Sequence, residues 1–168
     1  MNNKIANKIK HRDIPNDVFY TPEGLVKKCI SLVPLSVGDL VLDSAFGKGV
    51  FYQNYPKFVK KDFCEISMGK NFFEYNKVVD WIVTNPPYSC LDAWLEKSCG
   101  ICRKGFGYLF GLHNLTPRRI ELCEKNEFFL EKIHLTKVNK WFGMSAFIIF
   151  SKSGKGIIDY DRIIWKAG

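Results

Sequence analysis

The chain has 168 residues, of which 46% are hydrophobic and 15% aromatic, and its formal net charge is +8. This size and apolar content predict one globular domain and exclude disorder as the main state. The apolar runs are strand-length, far below the roughly 20 residues of a membrane helix, and the basic N-terminus has no apolar segment typical of a secretory signal. We therefore expect a cytoplasmic protein that is not secreted and does not bind a membrane.

Short apolar runs alternate with helical patterns along the chain. The patterns predict helices at 22–33, 90–99 and 117–125, strands at 39–43, 61–66, 78–84 and 106–112, and a closing antiparallel pair at 128–137 and 144–152. Such alternation predicts an α/β fold with a mostly parallel twisted sheet and helices on both faces. We predict a basic, flexible tail over residues 1–16 and a single domain over 17–168. Ligands of such sheets bind beyond the carboxyl ends of the strands.

A turn with two glycines follows the first predicted strand. It reads Asp43-Ser-Ala-Phe-Gly-Lys-Gly49, and its glycines allow the backbone to approach a ligand closely. The turn matches neither a full dinucleotide fingerprint nor a P-loop, and a simple tight turn explains it equally well. Glu65, at the end of the second strand, is either an exposed carboxylate or an acceptor for two ribose hydroxyls. The spacing of Asp43, Gly47 and Glu65 favours a nucleoside-binding site.

The tetrad Asn85-Pro86-Pro87-Tyr88 directly follows the apolar strand at 78–84. Its prolines hold the backbone extended and present Asn85 and Tyr88 at the end of that strand. The Asn85 side-chain oxygen and the Pro86 carbonyl can accept the two hydrogens of an aromatic amine, while Tyr88 stacks on the base. A rigid turn with a buried tyrosine is the structural alternative.

With Phe19-Tyr20-Thr21-Pro22, these two segments resemble the class I S-adenosylmethionine-dependent methyltransferases, specifically those that modify adenine N6. The order of motifs is similar to that of the gamma-type DNA adenine methyltransferases. The resemblance covers residues 17–152 and implies a Rossmann-like fold with S-adenosylmethionine as cofactor. Two positions depart from the family pattern, because Ser44 replaces a proline and Asn71 replaces an aspartate.

The resemblance also implies the roles of individual residues. The tetrad Asn85, Pro86, Pro87 and Tyr88 corresponds to the catalytic motif. The implied cofactor-binding residues are Tyr20, Thr21, Pro22, Asp43, Ala45, Phe46, Gly47, Gly49, Glu65, Asn71, Phe72 and Asn85.

The excess of 25 basic over 17 acidic residues favours a polyanionic partner. The residues that we expect to contact nucleic acid are Lys4, Lys8, Lys10, Arg12, Arg118, Arg119, Lys140 and Trp141. Any one basic pair is also typical of a solvated surface. The chain has no insertion long enough for a target-recognition region, so we expect a partner subunit or a second copy to supply recognition.

We expect adenine N6 in DNA to be the substrate, and several alternatives remain open. These are RNA adenine, a protein glutamine amide, cytosine N4, and a non-catalytic nucleic-acid-binding subunit. No metal is expected, because Cys99-Gly-Ile-Cys102 has no second closely spaced pair to complete a zinc site.

Overall fold

A computed structural model describes residues 21–139, 141 and 143–155, together with the backbone of 157–166. Its α-helices are α1 (Glu23–Leu32), α2 (Val50–Asn54), α3 (Leu91–Ile101) and α4 (Pro117–Glu124). Its strands are β1 (Leu40–Asp43), β2 (Lys60–Phe63), β3 (Val79–Thr84), β4 (Cys102–Gly111), β5 (Phe129–Asn139), β6 (Ser145–Ser151) and β7 (Ile157–Lys166).

The seven strands form one mixed sheet in the order β2-β1-β3-β4-β6-β5-β7. Strands β1 to β4 are mutually parallel, and their carboxyl ends therefore meet at one edge. Strand β6 runs antiparallel to β4 and β5, and β7 pairs in parallel with β5. The glycine turn, Glu65 and the tetrad follow strands of this parallel half.

Successive strand residues point to opposite faces of the sheet. Because apolar residues lie on both faces, helices pack on both. On one face, Val41 and Trp81 pack in a core cluster with residues of α1 and α2. On the other face, Leu42 and Ile82 pack in a second cluster with residues of α3 and α4. This is the predicted α/β architecture, with an apolar core on each side of the sheet.

The predicted helices and strands are confirmed, with four corrections. Strand β2 spans Lys60–Phe63 instead of residues 61–66, because Glu65 caps a 3₁₀ turn that begins at Ile66. Strand β4 begins at Cys102 instead of residue 106, because it follows α3 without any intervening turn. Strand β7 and the short helix α2 were not predicted. The basic tail predicted for residues 1–16 lies outside the described residues.

The connection between β2 and β3 contains two short 3₁₀ turns, Ile66–Met68 and Phe72–Glu74, and no α-helix among these described residues. Strand β2 is the first strand in the sheet order. None of the described helices has the length and apolar character that crossing a bilayer requires.

Candidate functional site

A cavity of about 340 Å³ lies at the carboxyl ends of the parallel strands. Segments 44–48, 64–66, 70–72 and 85–88 line it, together with Thr21, Val50, Phe51 and Trp94. The lining therefore brings together the glycine turn after β1, the end of β2 and the tetrad after β3. These segments are far apart in sequence, and the parallel topology of the sheet places them at one edge.

The glycine turn requires its glycines for conformational and steric reasons. Gly47 and Gly49 have positive φ angles of 53° and 77°, which side chains of L residues rarely adopt. A Cβ atom on Gly49 would lie 2.5 Å from Cζ of Phe46, whose ring folds back over the turn. That ring packs on Phe63 at a centroid distance of 4.4 Å and lines the cavity.

Asp43 is buried behind the glycine turn and does not line the cavity. Only 1% of the residue is exposed, and its carboxylate accepts hydrogen bonds from Thr84 Oγ1 at 2.6 Å and Tyr52 N at 3.2 Å. Burial raises the pKa of Asp43 to about 6, although the hydrogen bond from Thr84 opposes the shift. The sequence predicts Asp43 as a cofactor contact, whereas this geometry gives it an indirect action through the turn.

Glu65 connects the glycine turn to the end of β2. Its Oε2 accepts a hydrogen bond from Gly47 N at 2.9 Å, and its Oε1 accepts from Ser67 N at 3.0 Å and Ser67 Oγ at 2.8 Å. Glu65 also lines the cavity. A carboxylate has about four acceptor positions and three are occupied, so Glu65 can accept one further hydrogen bond from a ligand while it keeps the turn in place.

The tetrad begins directly after Thr84, the last residue of β3. All four of its residues line the cavity, and Pro86 is buried. Asn85 Nδ2 donates a hydrogen bond to Thr21 Oγ1 at 3.4 Å. Because this contact uses the amide nitrogen, it leaves the side-chain oxygen of Asn85 as the acceptor. Tyr88 then opens a 3₁₀ turn that leads into α3.

The cavity wall beyond Glu65 is aromatic. Phe72 is 2% exposed, and its ring stacks on Trp94 at a centroid distance of 4.7 Å. Asn71 Oδ1 accepts a hydrogen bond from Phe73 N at 3.0 Å, which fixes the turn that carries Phe72. Trp94 also lines the cavity, and it was not predicted from the sequence as a site residue. Its signal was a large aromatic residue in the helix that follows the tetrad.

Most of the cofactor-binding residues implied by the sequence meet at this cavity. Those that line it are Thr21, Ala45, Phe46, Gly47, Glu65, Asn71, Phe72 and Asn85. Pro22 is the N-cap residue of α1, and Gly49 is the N-cap residue of α2, so both shape the chain beside the cavity. Tyr20 lies outside the described residues.

The expected nucleic-acid contacts differ in their surroundings. Arg118 is exposed, with 83% of its side chain accessible and its guanidinium 4.0 Å from Asp92. Arg119 is 19% accessible and donates hydrogen bonds to Asp92 Oδ1 at 2.5 Å and to the carbonyl of Asn114 at 2.7 Å. Trp141 is 7% exposed and packs in the core. Outside the described residues lie Lys4, Lys8, Lys10, Arg12 and Lys140.

Arg119 and Trp141 are therefore corrected as nucleic-acid contacts in this conformation. The guanidinium of Arg119 is occupied by an intramolecular pair, and the ring of Trp141 is covered by other core residues. Of the described members of the set, Arg118 is the one whose charge is presented to solvent.

All six cysteines lie within the described residues, and none of them forms a disulfide. Among the residues that the structure describes, no group of three or more His, Cys, Asp or Glu side chains gathers as a metal site. Cys64 lines the cavity, and burial raises the pKa of its thiol to about 12, so the group is a neutral part of the wall.

No family model and no curated protein sequence matches this chain, but 126 chains of solved structures do. A Listeria monocytogenes protein assigned to the class I S-adenosylmethionine-dependent methyltransferases has a TM-score of 0.62 and 11% identity, covering 97% of this chain and 69% of that chain. The type I restriction-modification methyltransferase subunit of Streptococcus thermophilus has a TM-score of 0.64 and 15% identity, covering 84% of this chain and 47% of that chain.

The magnesium protoporphyrin IX methyltransferase of Synechocystis PCC 6803, solved with bound S-adenosylmethionine, has a TM-score of 0.56 and 12% identity. The alignment covers 78% of this chain and 77% of that chain. These similarities are in three-dimensional structure and concern proteins with different substrates. At 11–15% identity they show the fold alone, and the chain has the fold of the class I S-adenosylmethionine-dependent methyltransferases.

Proposed function

We propose that this protein transfers a methyl group from S-adenosylmethionine to the N6 amino group of adenine in DNA. The observation that carries the proposal is that the Asn85–Tyr88 tetrad and the glycine turn with Glu65 line one continuous cavity. A nucleoside site and a site for a planar amine thus meet at the edge where open α/β sheets bind their ligands.

The cavity residues fit S-adenosylmethionine. Glu65 offers a carboxylate acceptor for the ribose, and the glycine turn lets the backbone approach the ligand. The walls near Phe72 and Trp94 are aromatic and suit a purine ring. When bound there, S-adenosylmethionine supplies an electrophilic methyl group on a positively charged sulfur and leaves as the neutral thioether S-adenosylhomocysteine.

The tetrad supplies the acceptors that an aromatic amine needs. Asn85 Oδ1 and the Pro86 carbonyl accept the two hydrogens of the amino group, which withdraws its lone pair from the ring and makes the nitrogen a better nucleophile. The nitrogen gains the methyl carbon and becomes cationic, and it then loses one proton through these acceptors to solvent. Tyr88 stacks on the base and holds it against the tetrad.

The charge distribution supports a nucleic-acid substrate. The net charge is +8, and residues 1–12 contain four basic residues and no acid. Basic side chains that neutralise phosphates give affinity without sequence specificity. Arg118 and the tail residues Lys4, Lys8, Lys10 and Arg12 are the proposed phosphate contacts. A partner subunit or a second copy supplies target recognition, as is consistent with the similarity to a methyltransferase subunit of a restriction-modification system.

The test is methyl transfer from isotope-labelled S-adenosylmethionine to separate pools of duplex DNA, single-stranded DNA and RNA. Each pool is digested to nucleosides and analysed by mass spectrometry, with Asn85→Ala as the control variant. We expect labelled N6-methyladenine in DNA with the wild type and none with Asn85→Ala, which should still bind S-adenosylhomocysteine.

The other outcomes separate the alternatives. Label in RNA alone would show that the substrate is adenine in RNA. Label in cytosine would contradict the proposed target atom. Cofactor binding without label in any pool would favour a protein acceptor or a required partner. DNA binding without cofactor binding would identify a non-catalytic subunit.

A further inference from the structure

The indole of Trp94 has a hydrogen-bond partner 50 residues away in the sequence. Its Nε1 donates to Ser44 Oγ at 2.9 Å. Both residues are buried, with 5% of Trp94 and 2% of Ser44 exposed, so water does not compete for the bond. Both also line the cavity. The contact therefore joins Ser44 of the glycine turn to the first turn of α3, the helix that follows the tetrad.

The same indole also fixes the turn between β2 and β3. The ring of Phe72 stacks on it at 4.7 Å with an interplanar angle of 28°, and Phe73 meets it edge-on at 5.3 Å and 80°. Trp94 thus contacts two chain segments that line the cavity, the glycine turn through Ser44 and the turn after β2 through Phe72. The stacking fixes the plane of the ring, and the hydrogen bond fixes the direction of its N–H group.

Ser44 is one of the two positions at which this chain departs from the family pattern, and the resemblance implies a proline there. A proline side chain has no oxygen and cannot accept a bond from an indole N–H. The serine hydroxyl provides the acceptor that the buried indole requires. Ser44 and Trp94 therefore form one unit. The hydrogen bond to Trp94 gives a reason for serine at this position, which the shape of the glycine turn alone does not require.

The unit lies at the nucleoside end of the cavity. Glu65, the acceptor suited to a ribose, ends the segment that follows β2, and the tetrad lies after β3 on the other side. The wall beyond Glu65 consists of Cys64, Phe72 and Trp94, which are apolar and suit a planar base. We infer, resting on the proposed function, that Trp94 held by the Ser44 hydroxyl is a positioning residue that fixes the wall for the cofactor's purine ring.

The test compares Ser44→Ala, Trp94→Phe and the double variant with the wild type. Calorimetry measures the Kd of S-adenosylhomocysteine and of 5′-methylthioadenosine, which lacks the amino-acid end. Ser44→Thr keeps a hydroxyl and should restore binding. Ser151→Ala is the matched control, because Ser151 is also 2% exposed but lines a different cavity. Urea unfolding of each variant separates loss of stability from loss of binding.

We expect each single variant to raise both Kd values by about threefold to tenfold, with the double variant no weaker than the singles. The KM for S-adenosylmethionine should rise by a similar factor, while kcat changes by less than about twofold. Ser151→Ala should bind as the wild type does.

Kd values within about twofold of the wild type for folded Ser44→Ala would overturn the inference. The inference would also be overturned if the Kd increases of the two single variants multiplied in the double variant. Weaker binding of S-adenosylhomocysteine with unchanged binding of 5′-methylthioadenosine would overturn it as well. If the wild type itself binds neither ligand, the proposed function is wrong and the inference fails with it. If the wild type binds and the variants bind equally well, only the inference is wrong.

Discussion

The hydroxyl of Thr84 donates a buried hydrogen bond to Oδ1 of Asp43, and the two oxygen atoms are 2.6 Å apart. Thr84 is the last residue of β3 and Asp43 is the last residue of β1. This bond joins the residue before the tetrad to the first residue of the glycine turn, so it holds together two segments that line the cavity. Its acceptor is a carboxylate whose pKa burial raises to about 6.

The raised pKa of Asp43 predicts a specific pH dependence of stability. The folded state holds the proton more tightly than the unfolded state, whose pKa is 3.8. The stabilising contribution is therefore present below pH 3.8 and is lost as the pH rises through about 6. We expect Asp43→Asn, which does not titrate, to gain up to about 3 kcal/mol relative to the wild type between pH 4 and pH 8.

Urea unfolding of both proteins across this range measures the effect. The quantity to compare is the difference in unfolding free energy between the two proteins at each pH, because Asn also changes one hydrogen bond of the turn at every pH. A difference that stays constant from pH 4 to pH 8 would show that Asp43 titrates normally in the folded state.

Glu65→Gln tests the nucleoside site. The amide keeps the size of the side chain but loses the negative charge and one acceptor, and charge-assisted hydrogen bonds contribute about 1.5–3 kcal/mol each. We expect S-adenosylhomocysteine to bind at least about tenfold more weakly. Calorimetric titration measures the change, with Glu121→Gln on the exposed face of α4 as the matched control. Equal affinities in the two variants would remove Glu65 from the site.

Gly49→Ala should disturb the turn more than an equivalent change elsewhere. Gly49 and Gly69 have similar φ angles, 77° and 72°, but a Cβ atom meets Phe46 at 2.5 Å in the first and nothing within 4 Å in the second. Gly69→Ala should lose about 1–2 kcal/mol of unfolding free energy from backbone strain. Gly49→Ala should lose about 1–3 kcal/mol more, because Phe46 must move. Chemical denaturation measures the unfolding free energy of both variants. Equal losses in the two variants would mean that the Phe46 ring moves aside at no cost.

The two neighbouring arginines of α4 should separate stability from nucleic-acid binding. Arg119→Ala leaves Asp92 without its 2.5 Å partner and should cost about 1.5–3 kcal/mol of unfolding free energy. Arg118→Ala should change stability by less than about 0.5 kcal/mol and reduce the salt slope of DNA binding by about one unit. Fluorescence anisotropy at several salt concentrations measures the slope. An unchanged slope for Arg118→Ala would show that its charge does not contact phosphate.

Much of the fold could be predicted because its elements carry local signals. Thr21 and Pro22 precede α1 where the sequence places a helix start, and the apolar run at 78–84 is strand β3 with a shift of one residue. Strand β7 was missed because its position depends on parallel pairing with β5, a long-range contact that includes a register shift between Leu135 and Lys137. Such pairing has no local signature in the chain.

The candidate site shows the same division. The tetrad and the glycine turn are contiguous motifs, and the structure places both at one cavity. The contact between Ser44 and Trp94 joins residues of different elements, so local sequence patterns do not reveal it. The surroundings of Arg119 also could not be foreseen, because its partner Asp92 belongs to another helix.

The position of β2 in the sheet bears on self-association, because no strand of the described sheet pairs with its outer side. Strand β2 begins the sheet and is only four residues long, and Lys60 and Lys61 within it are exposed. An uncovered strand edge can recruit a strand of another molecule and start fibre growth. Two adjacent ammonium groups on a short strand oppose that stacking by charge repulsion, so replacing both lysines with valine should make the purified protein prone to aggregate.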